Sequence, residues 1–97
     1  MVHHIVMWNL KEELNAQEKK EAAVLIKEKL EAVKEVVEGI VSLEVVINQR
    51  ESSNKDVGLI SVFETAEALE AYQKHPAHVE AAGYIKMVTC DRVCLDY

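Results

Sequence analysis

The chain has little cysteine, proline or glycine, and it has no long apolar run. Its 97 residues include two cysteines, one proline and three glycines. No apolar stretch approaches the roughly 18 residues of a membrane-spanning helix. The N-terminus, MVHHIVMWNLKEEL, has no basic leader and becomes charged after ten residues, unlike a signal peptide. These absences predict a cytoplasmic protein.

Positive charge is also scarce. With 11 basic against 17 acidic residues, the formal net charge is −6. This charge opposes binding to phosphate backbones and anionic lipid, so neither nucleic acid nor a membrane is expected as a partner. Apolar residues at 49% and charged residues at 29% exclude a disordered chain. We expect one domain, residues 1–97, which buries only about 60–65% of its unfolded surface, so pairing with a second copy would add core.

The two cysteines, Cys90 and Cys94, lie in a segment that is predicted to be a strand. Extended backbone would separate their Cα atoms by roughly 13 Å, which is beyond the reach of a disulfide. No second pair of cysteines or histidines accompanies them, so they are interpreted as reduced packing thiols. Neither a metal nor a cofactor is expected. A disulfide between subunits stays open as an alternative.

Hydrophobic patterning predicts the element order β-α-β-β-α-β. Asn15 and Glu18 form a capping-box pattern for a helix that carries an apolar stripe and that Gly39 is expected to end. Thr65 is expected to cap a second helix. The other predicted elements are the strands Val2–Leu10, Ile40–Ile47, Val57–Glu64 and Met87–Tyr97, the loop Asn48–Asp56, and a helical piece that runs from Pro76 to Gly83.

This order predicts an α+β fold of the ferredoxin-like type, with a four-stranded antiparallel sheet and the helices on one face. In the second strand we expect Val41, Leu43, Val45 and Ile47 to share a face.

The first strand is apolar on both sides, with Ile5 and Met7 facing one way and Val6, Trp8 and Leu10 the other. A bare sheet face normally carries polar residues, so something must cover the second face. A second copy of the chain is the simplest cover, and a homodimer is predicted.

Three segments together resemble the stress-responsive dimeric A/B barrel (Dabb) family. They are the opening VHHIVMWNLK, the central FETAEALEAYQKHPAHVE and the closing RVCLDY. The resemblance implies a ferredoxin-like protomer whose sheet joins that of a second copy in an α+β barrel. It leaves the function open, because the family and its wider superfamily include a plant polyketide cyclase, haem-degrading and quinol-forming monooxygenases and lactone isomerases.

The resemblance also implies a site, since Tyr72 and His78 match the acid–base pair of the plant cyclase and His4 matches a pocket histidine. A histidine can abstract a proton near neutral pH, and a phenol can donate a hydrogen bond to a developing enolate oxygen. Val57 stands where the cyclase has a further pocket histidine, which argues against polyketide cyclisation. A structural role, in packing and hydrogen bonding, is nevertheless the favoured interpretation of Tyr72 and His78.

The other histidines and aromatic residues have simpler interpretations. His75 precedes Pro76 and is expected to cap the next helical turn. His3 and His4 are adjacent in a strand, so they point to opposite faces and cannot hold one metal together, and His4 is expected in the interior. Core positions are expected for Trp8 and Phe63, which with His4 are the predicted lining of any ligand pocket.

Two functional hypotheses follow. The first is a homodimeric protein without a defined catalytic role, which binds a small apolar molecule or acts in stress protection. The second is a cofactor-independent enzyme (a cyclase, an isomerase or a monooxygenase-like protein) that acts on a small carbonyl or aromatic compound. In the second hypothesis His78 is the general base, Tyr72 the oxyanion donor and His4 a positioning group.

Overall fold

A computed structural model describes all residues from Met1 to Tyr97. The elements in chain order are β1 (Val2–Leu10), α1 (Ala16–Val33), β2 (Ile40–Ile47), β3 (Val57–Phe63), α2 (Ala66–Lys74), α3 (Pro76–Val88) and β4 (Thr89–Asp96). The strands form one antiparallel sheet in the order β2-β3-β1-β4, which confirms the ferredoxin-like prediction. None of the helices is long and apolar enough to cross a membrane.

Helix α1 begins at the predicted capping box. The Asn15 side chain accepts a hydrogen bond from the Glu18 amide at 2.8 Å, and the Glu18 carboxylate accepts one from the Asn15 amide at 2.9 Å. The predicted end at Gly39 is wrong, because the helix ends at Val33 and the chain continues in tight turns. Gly39 is nevertheless in the left-handed region, with φ 84°, in the turn before β2.

The second helical region consists of two helices that meet at His75. Thr65 caps α2 and His75 caps α3, where its ring accepts a hydrogen bond from the Ala77 amide, both as predicted. Gly83 does not end a helix, contrary to the prediction: α3 runs through it to Val88, and β4 starts at Thr89. The helix ends there because the Thr89 backbone is extended, and the Thr89 hydroxyl and amide both donate to the Ile85 carbonyl.

The core lies between the helices and one face of the sheet. Val41 does not share this face, contrary to the prediction, because the register between β2 and β3 shifts between Ile40 and Ser42 and leaves Val41 exposed. The buried apolar residues are Val6, Trp8, Leu10, Ala22, Ala23, Ile26, Leu30, Val33, Leu43, Val45, Val57, Leu59, Phe63, Leu69, Tyr72, Ala81 and Ile85.

The opposite face of the sheet carries no helix and is rich in apolar side chains. We call it the outward face. Its exposed apolar residues come from all four strands and are Met7, Val46, Ile60, Val93 and Leu95. The prediction that β1 is apolar on both sides is confirmed, and the apolar surface extends over the whole sheet.

The helices leave β4 largely uncovered on their own side of the sheet. Cys94 pairs with Val6 and Asp96 with His4, so all four residues share the helix face. Val6 and His4 are buried, whereas Cys94 and Asp96 are exposed. The edge strand is also irregular, with a register shift opposite Trp8 and a positive φ of 53° at Asp91. A trough is therefore left between α3 and β4.

Gly39 and Gly83, which were both predicted to end helices, provide a matched stability test. A Cβ at Gly39 would lie 2.7 Å from the Ala68 Cβ on a positive-φ backbone, whereas a Cβ at Gly83 would meet nothing within 4 Å. We expect Gly39→Ala to lower the free energy of unfolding by about 1–3 kcal/mol. Gly83→Ala is expected to raise it by about 0.5–1 kcal/mol, because alanine favours a helix interior.

Urea unfolding followed by circular dichroism, at one protein concentration, measures both changes. Destabilisation by Gly83→Ala would contradict the continuous helix at Gly83, and neutrality of Gly39→Ala would contradict the positive φ and the close approach to Ala68.

Candidate functional site

The trough between α3 and the sheet holds a cavity of about 640 Å³. Its floor comes from β1, β3 and β4, one wall comes from α3, and Leu30 of α1 and Gln73 of α2 complete it. Most of the lining is apolar, and two histidines, one glutamine and two basic side chains interrupt it. The lining residues are His4, Val6, Trp8, Leu30, Leu59, Gln73, His78, Val79, Ala82, Gly83, Ile85, Lys86 and Arg92.

His4 lies in the floor of the trough and is only 3% exposed. Its side chain faces the helices because alternate residues of a strand share a face, and His4 shares the buried face of β1 with Val6 and Trp8. The Nδ1 atom contacts the carboxylate of Asp96, which is the residue opposite His4 in β4. The His4 carbonyl accepts a hydrogen bond from the Ser61 hydroxyl at 2.7 Å. His4 is therefore fixed by both neighbouring strands.

His78 lies in the first turn of α3, at the wall of the trough. Its Nδ1 lies 3.2 Å from the Gln73 carbonyl oxygen. A carbonyl can only accept, so this contact requires the proton on Nδ1 and leaves Nε2 with a free lone pair. Burial lowers the pKa of His78, partly offset by the Gln73 carbonyl. His78 is therefore a neutral hydrogen-bond acceptor at pH 7.

Tyr72 packs behind His78, with the two ring centroids 4.4 Å apart. Sequence reasoning expected these residues to come together, and the structure brings them into contact. Tyr72 is fully buried, and its hydroxyl has no hydrogen-bond partner. Burial raises its pKa to about 12, so the phenol keeps its proton. Tyr72 does not line the cavity and belongs to the core.

Of the predicted pocket residues, His4, Trp8 and His78 line the trough. Phe63 does not, since it is fully buried and packs against the Tyr72 ring at a centroid distance of 4.9 Å. Its place is in the core beneath the site.

Several polar residues at the trough were not anticipated from the sequence. Gln73 fixes the His78 ring, Arg92 lines the open side, and Asp96 pairs with His4. A usable signal existed in the spacing of Arg92, Cys94 and Asp96, because alternate residues of a strand share a face. Which face they share depends on the bulge near Asp91, and the sequence does not reveal this bulge.

Comparison with known proteins decides the family. The model of the family described as Stress responsive A/B Barrel Domain (Dabb) matches residues 2–97. The chain belongs to the Dabb family. No functionally curated protein matches this Dabb chain.

Solved structures share the fold over nearly the whole chain. A dimeric protein of unknown function from Bacteroides fragilis is 29% identical, with a TM-score of 0.93, and the match covers 99% of this chain and 93% of that one. A Dabb protein from Mesorhizobium loti is 23% identical, with a TM-score of 0.75 and the same coverage. A hydroxynitrile lyase from Passiflora edulis is 15% identical, with a TM-score of 0.80, and the match covers 99% of this chain and 90% of that one. At these identities the last two show the fold alone.

The unpaired Tyr72 hydroxyl generates a stability prediction. We expect Tyr72→Phe to leave the free energy of unfolding unchanged, or to raise it by up to about 1 kcal/mol, because no hydrogen bond is lost and a buried polar atom is removed. Ser61→Ala is the matched control: it removes a buried hydroxyl that does donate a bond, and we expect a loss of about 1 kcal/mol.

Tyr72→Phe and the wild type are also expected to differ in how their stability depends on pH in alkali. The pKa of Tyr72 is about 12 in the folded chain against 10.0 for an unperturbed tyrosine, so the unfolded chain loses its proton first. Stability is therefore lost as the pH rises from 10 towards 12, and Tyr72→Phe lacks this part of the loss. Unfolding midpoints measured at pH 7 and pH 11 test both statements. A neutral-pH loss above about 1 kcal/mol in Tyr72→Phe would show that the hydroxyl is bonded.

Proposed function

We propose that this Dabb domain, residues 1–97, binds a small and largely apolar molecule in the trough. The observation that carries the proposal is the trough itself. Its volume of about 640 Å³ lies in the range of small-molecule sites, roughly 300–1,000 Å³. Apolar side chains provide most of its surface, and a few polar groups converge on it, as is usual for such sites.

The polar groups define which part of a ligand would be recognised. Nε2 of the neutral His78 accepts a hydrogen bond, so a ligand hydroxyl or amine fits beside it. Lys86 and Arg92 lie at the trough and favour a carbonyl, phenolate or carboxylate group on the same molecule. A small aromatic or carbonyl compound with such a group matches both features.

We also propose that the protein is a cytoplasmic homodimer paired through the outward face. Apolar side chains from all four strands lie exposed there, and an exposed surface of this kind is typical of an interface between subunits. The similar protein from Bacteroides fragilis is dimeric. The two free cysteines agree with a reducing compartment.

Catalysis by a cofactor-independent mechanism is the second candidate function, and the state of His78 favours it. A neutral imidazole with one nitrogen fixed by the Gln73 carbonyl and the other free is suited to accept a proton. In this scheme Tyr72 donates to the developing oxyanion and His4 positions the substrate. The Tyr72 hydroxyl is buried outside the trough lining, so this step requires a conformational change that exposes it to the trough.

A thermal-shift screen with small carbonyl and aromatic compounds tests the binding proposal. A compound present at one hundred times its Kd stabilises the native state by about 2.7 kcal/mol, which raises the melting temperature by roughly 10–20 °C in a domain of this size. We expect the shift to be lost in Gly83→Leu, whose side chain extends into open space at the trough, and to be reduced in His78→Ala. His75→Asn is the control, because asparagine retains the helix cap and the residue does not line the trough.

Hits that keep their full shift in Gly83→Leu bind elsewhere and would refute the trough as the site. Incubation of trough-dependent hits with the wild type then separates the two functions. Product formation that falls at least about a hundredfold in Tyr72→Phe, with binding retained, supports catalysis. Unchanged compounds leave binding as the function.

A further inference from the structure

A triad of potential metal ligands lies at the edge of the trough, where β1 meets β4. His4 and Asp96 are paired across the two strands, and Cys94 is two residues before Asp96 on the same face. No metal was expected from the sequence, because His3 and His4 point to opposite faces and the two cysteines are far apart along a strand. The register of β4 against β1 instead brings one histidine and one cysteine together with Asp96.

The ligand atoms have spacings that suit one small cation. The Cys94 Sγ lies 3.9 Å from the His4 Nδ1 and 3.6 Å from the Asp96 Oδ1. Zinc bonds of about 2.0 Å to nitrogen or oxygen and about 2.3 Å to sulfur, at tetrahedral angles, place neighbouring ligand atoms roughly 3.3–3.6 Å apart. The two distances from the Cys94 Sγ are therefore close to these values. The third pair, His4 Nδ1 and Asp96 Oδ1, is in direct hydrogen-bonded contact, and the two atoms have to move apart to bind one cation.

The Asp96 side chain can make this adjustment, because it is 43% exposed whereas His4 is 3% exposed. The backbone on which it stands is held in place. The amide of His3 donates to the Tyr97 carbonyl at 2.7 Å, and the Tyr97 amide donates to the His3 carbonyl at 3.0 Å. The rings of His3 and Tyr97 stack on the other face, with centroids 4.6 Å apart. This clamp fixes the end of β4, so Asp96 stays opposite His4.

The donor set also has the chemistry of a transition-metal site. A thiolate and an imidazole favour zinc, cobalt or copper over magnesium and calcium, which prefer oxygen ligands. A thiolate, a carboxylate and a neutral imidazole bring a charge of −2, which a divalent cation balances. Arg92 lies on the same side at the trough and contributes one opposing positive charge.

We propose that His4, Cys94 and Asp96 form a binding site for a divalent transition metal of the zinc type. Three protein ligands leave the fourth position open to water or to an oxygen atom of a molecule in the trough, as in catalytic rather than structural zinc sites. Binding releases the thiol proton of Cys94 to solvent, and the His4 proton moves from Nδ1 to Nε2 so that Nδ1 can bind the metal. The site stands independently of the proposed ligand, because metal binding is measured without one.

Cobalt(II) titration of the untagged, reduced and chelator-treated full chain tests the site. We expect an end-point at one equivalent per chain, a thiolate-to-cobalt charge-transfer band in the near ultraviolet, and visible bands of four-coordinate cobalt. Zinc(II) should displace the cobalt, since it binds such sites more tightly.

Substitutions on exposed positions of β4 assign the ligands without disturbing the core. We expect Cys94→Ser to remove the charge-transfer band, and Asp96→Asn to weaken cobalt binding by at least about tenfold, since losing even an outer contact to a metal ligand costs 10–100-fold. Cys90→Ser is the matched control, because Cys90 lies in the same strand but not in the triad, and it is expected to retain the full spectrum.

Three results would overturn the proposal. The first is a wild-type chain without the charge-transfer band at one equivalent of cobalt. The second is a band that survives Cys94→Ser, and the third is a band that Cys90→Ser removes. Any of these would leave the contact between His4 and Asp96 as a hydrogen bond that only stabilises the strand end.

Discussion

The position of β1 in the sheet is the constraint on which the rest of the structure depends. This strand lies between β3 and β4 and is apolar on both faces. On one face Val6, Trp8 and Leu10 are buried by the helices and anchor the core. On the other face Ile5 and Met7 continue into the exposed apolar surface of the whole sheet. Both faces of β1 therefore have to be buried, and the helices of a single chain bury only one of them.

The incomplete cover on the helix face is what makes a site. The helices pack over β2, β3 and β1, and edge strand β4 stays open beside α3. A trough results, with His4 in its floor and His78 in its wall. Because His4 is centrally placed and held from both sides, by the Ser61 hydroxyl and by Asp96, it is the fixed point around which ligand binding, catalysis or metal binding would be organised.

The sequence was informative where local chemistry decides the structure, and less so where packing does. The caps at Asn15, Thr65 and His75 and the two-sided strand were predictable from residue type and period. Gly83 was misinterpreted as a helix end because a glycine pattern does not reveal whether the backbone must adopt a positive φ. Proximity of Tyr72 to His78 followed from the family resemblance. The burial of the Tyr72 hydroxyl away from the trough did not, because it depends on tertiary packing.

The triad of His4, Cys94 and Asp96 could not be predicted for a different reason. It joins residues that lie at opposite ends of the chain, and it depends on the register of β4 against β1. That register contains a shift beside Asp91, and a displacement by one residue would turn Cys94 and Asp96 to the outward face. The most direct test of the account concerns the outward face itself, and it is the mass of the protein in solution by light scattering at micromolar concentration. The account predicts about 22 kDa, twice the chain mass of 11.0 kDa. It also predicts that Ile60→Lys gives the monomer mass and that Val24→Lys, on α1 with the same 43% exposure, does not. A wild-type particle of 11.0 kDa would contradict it.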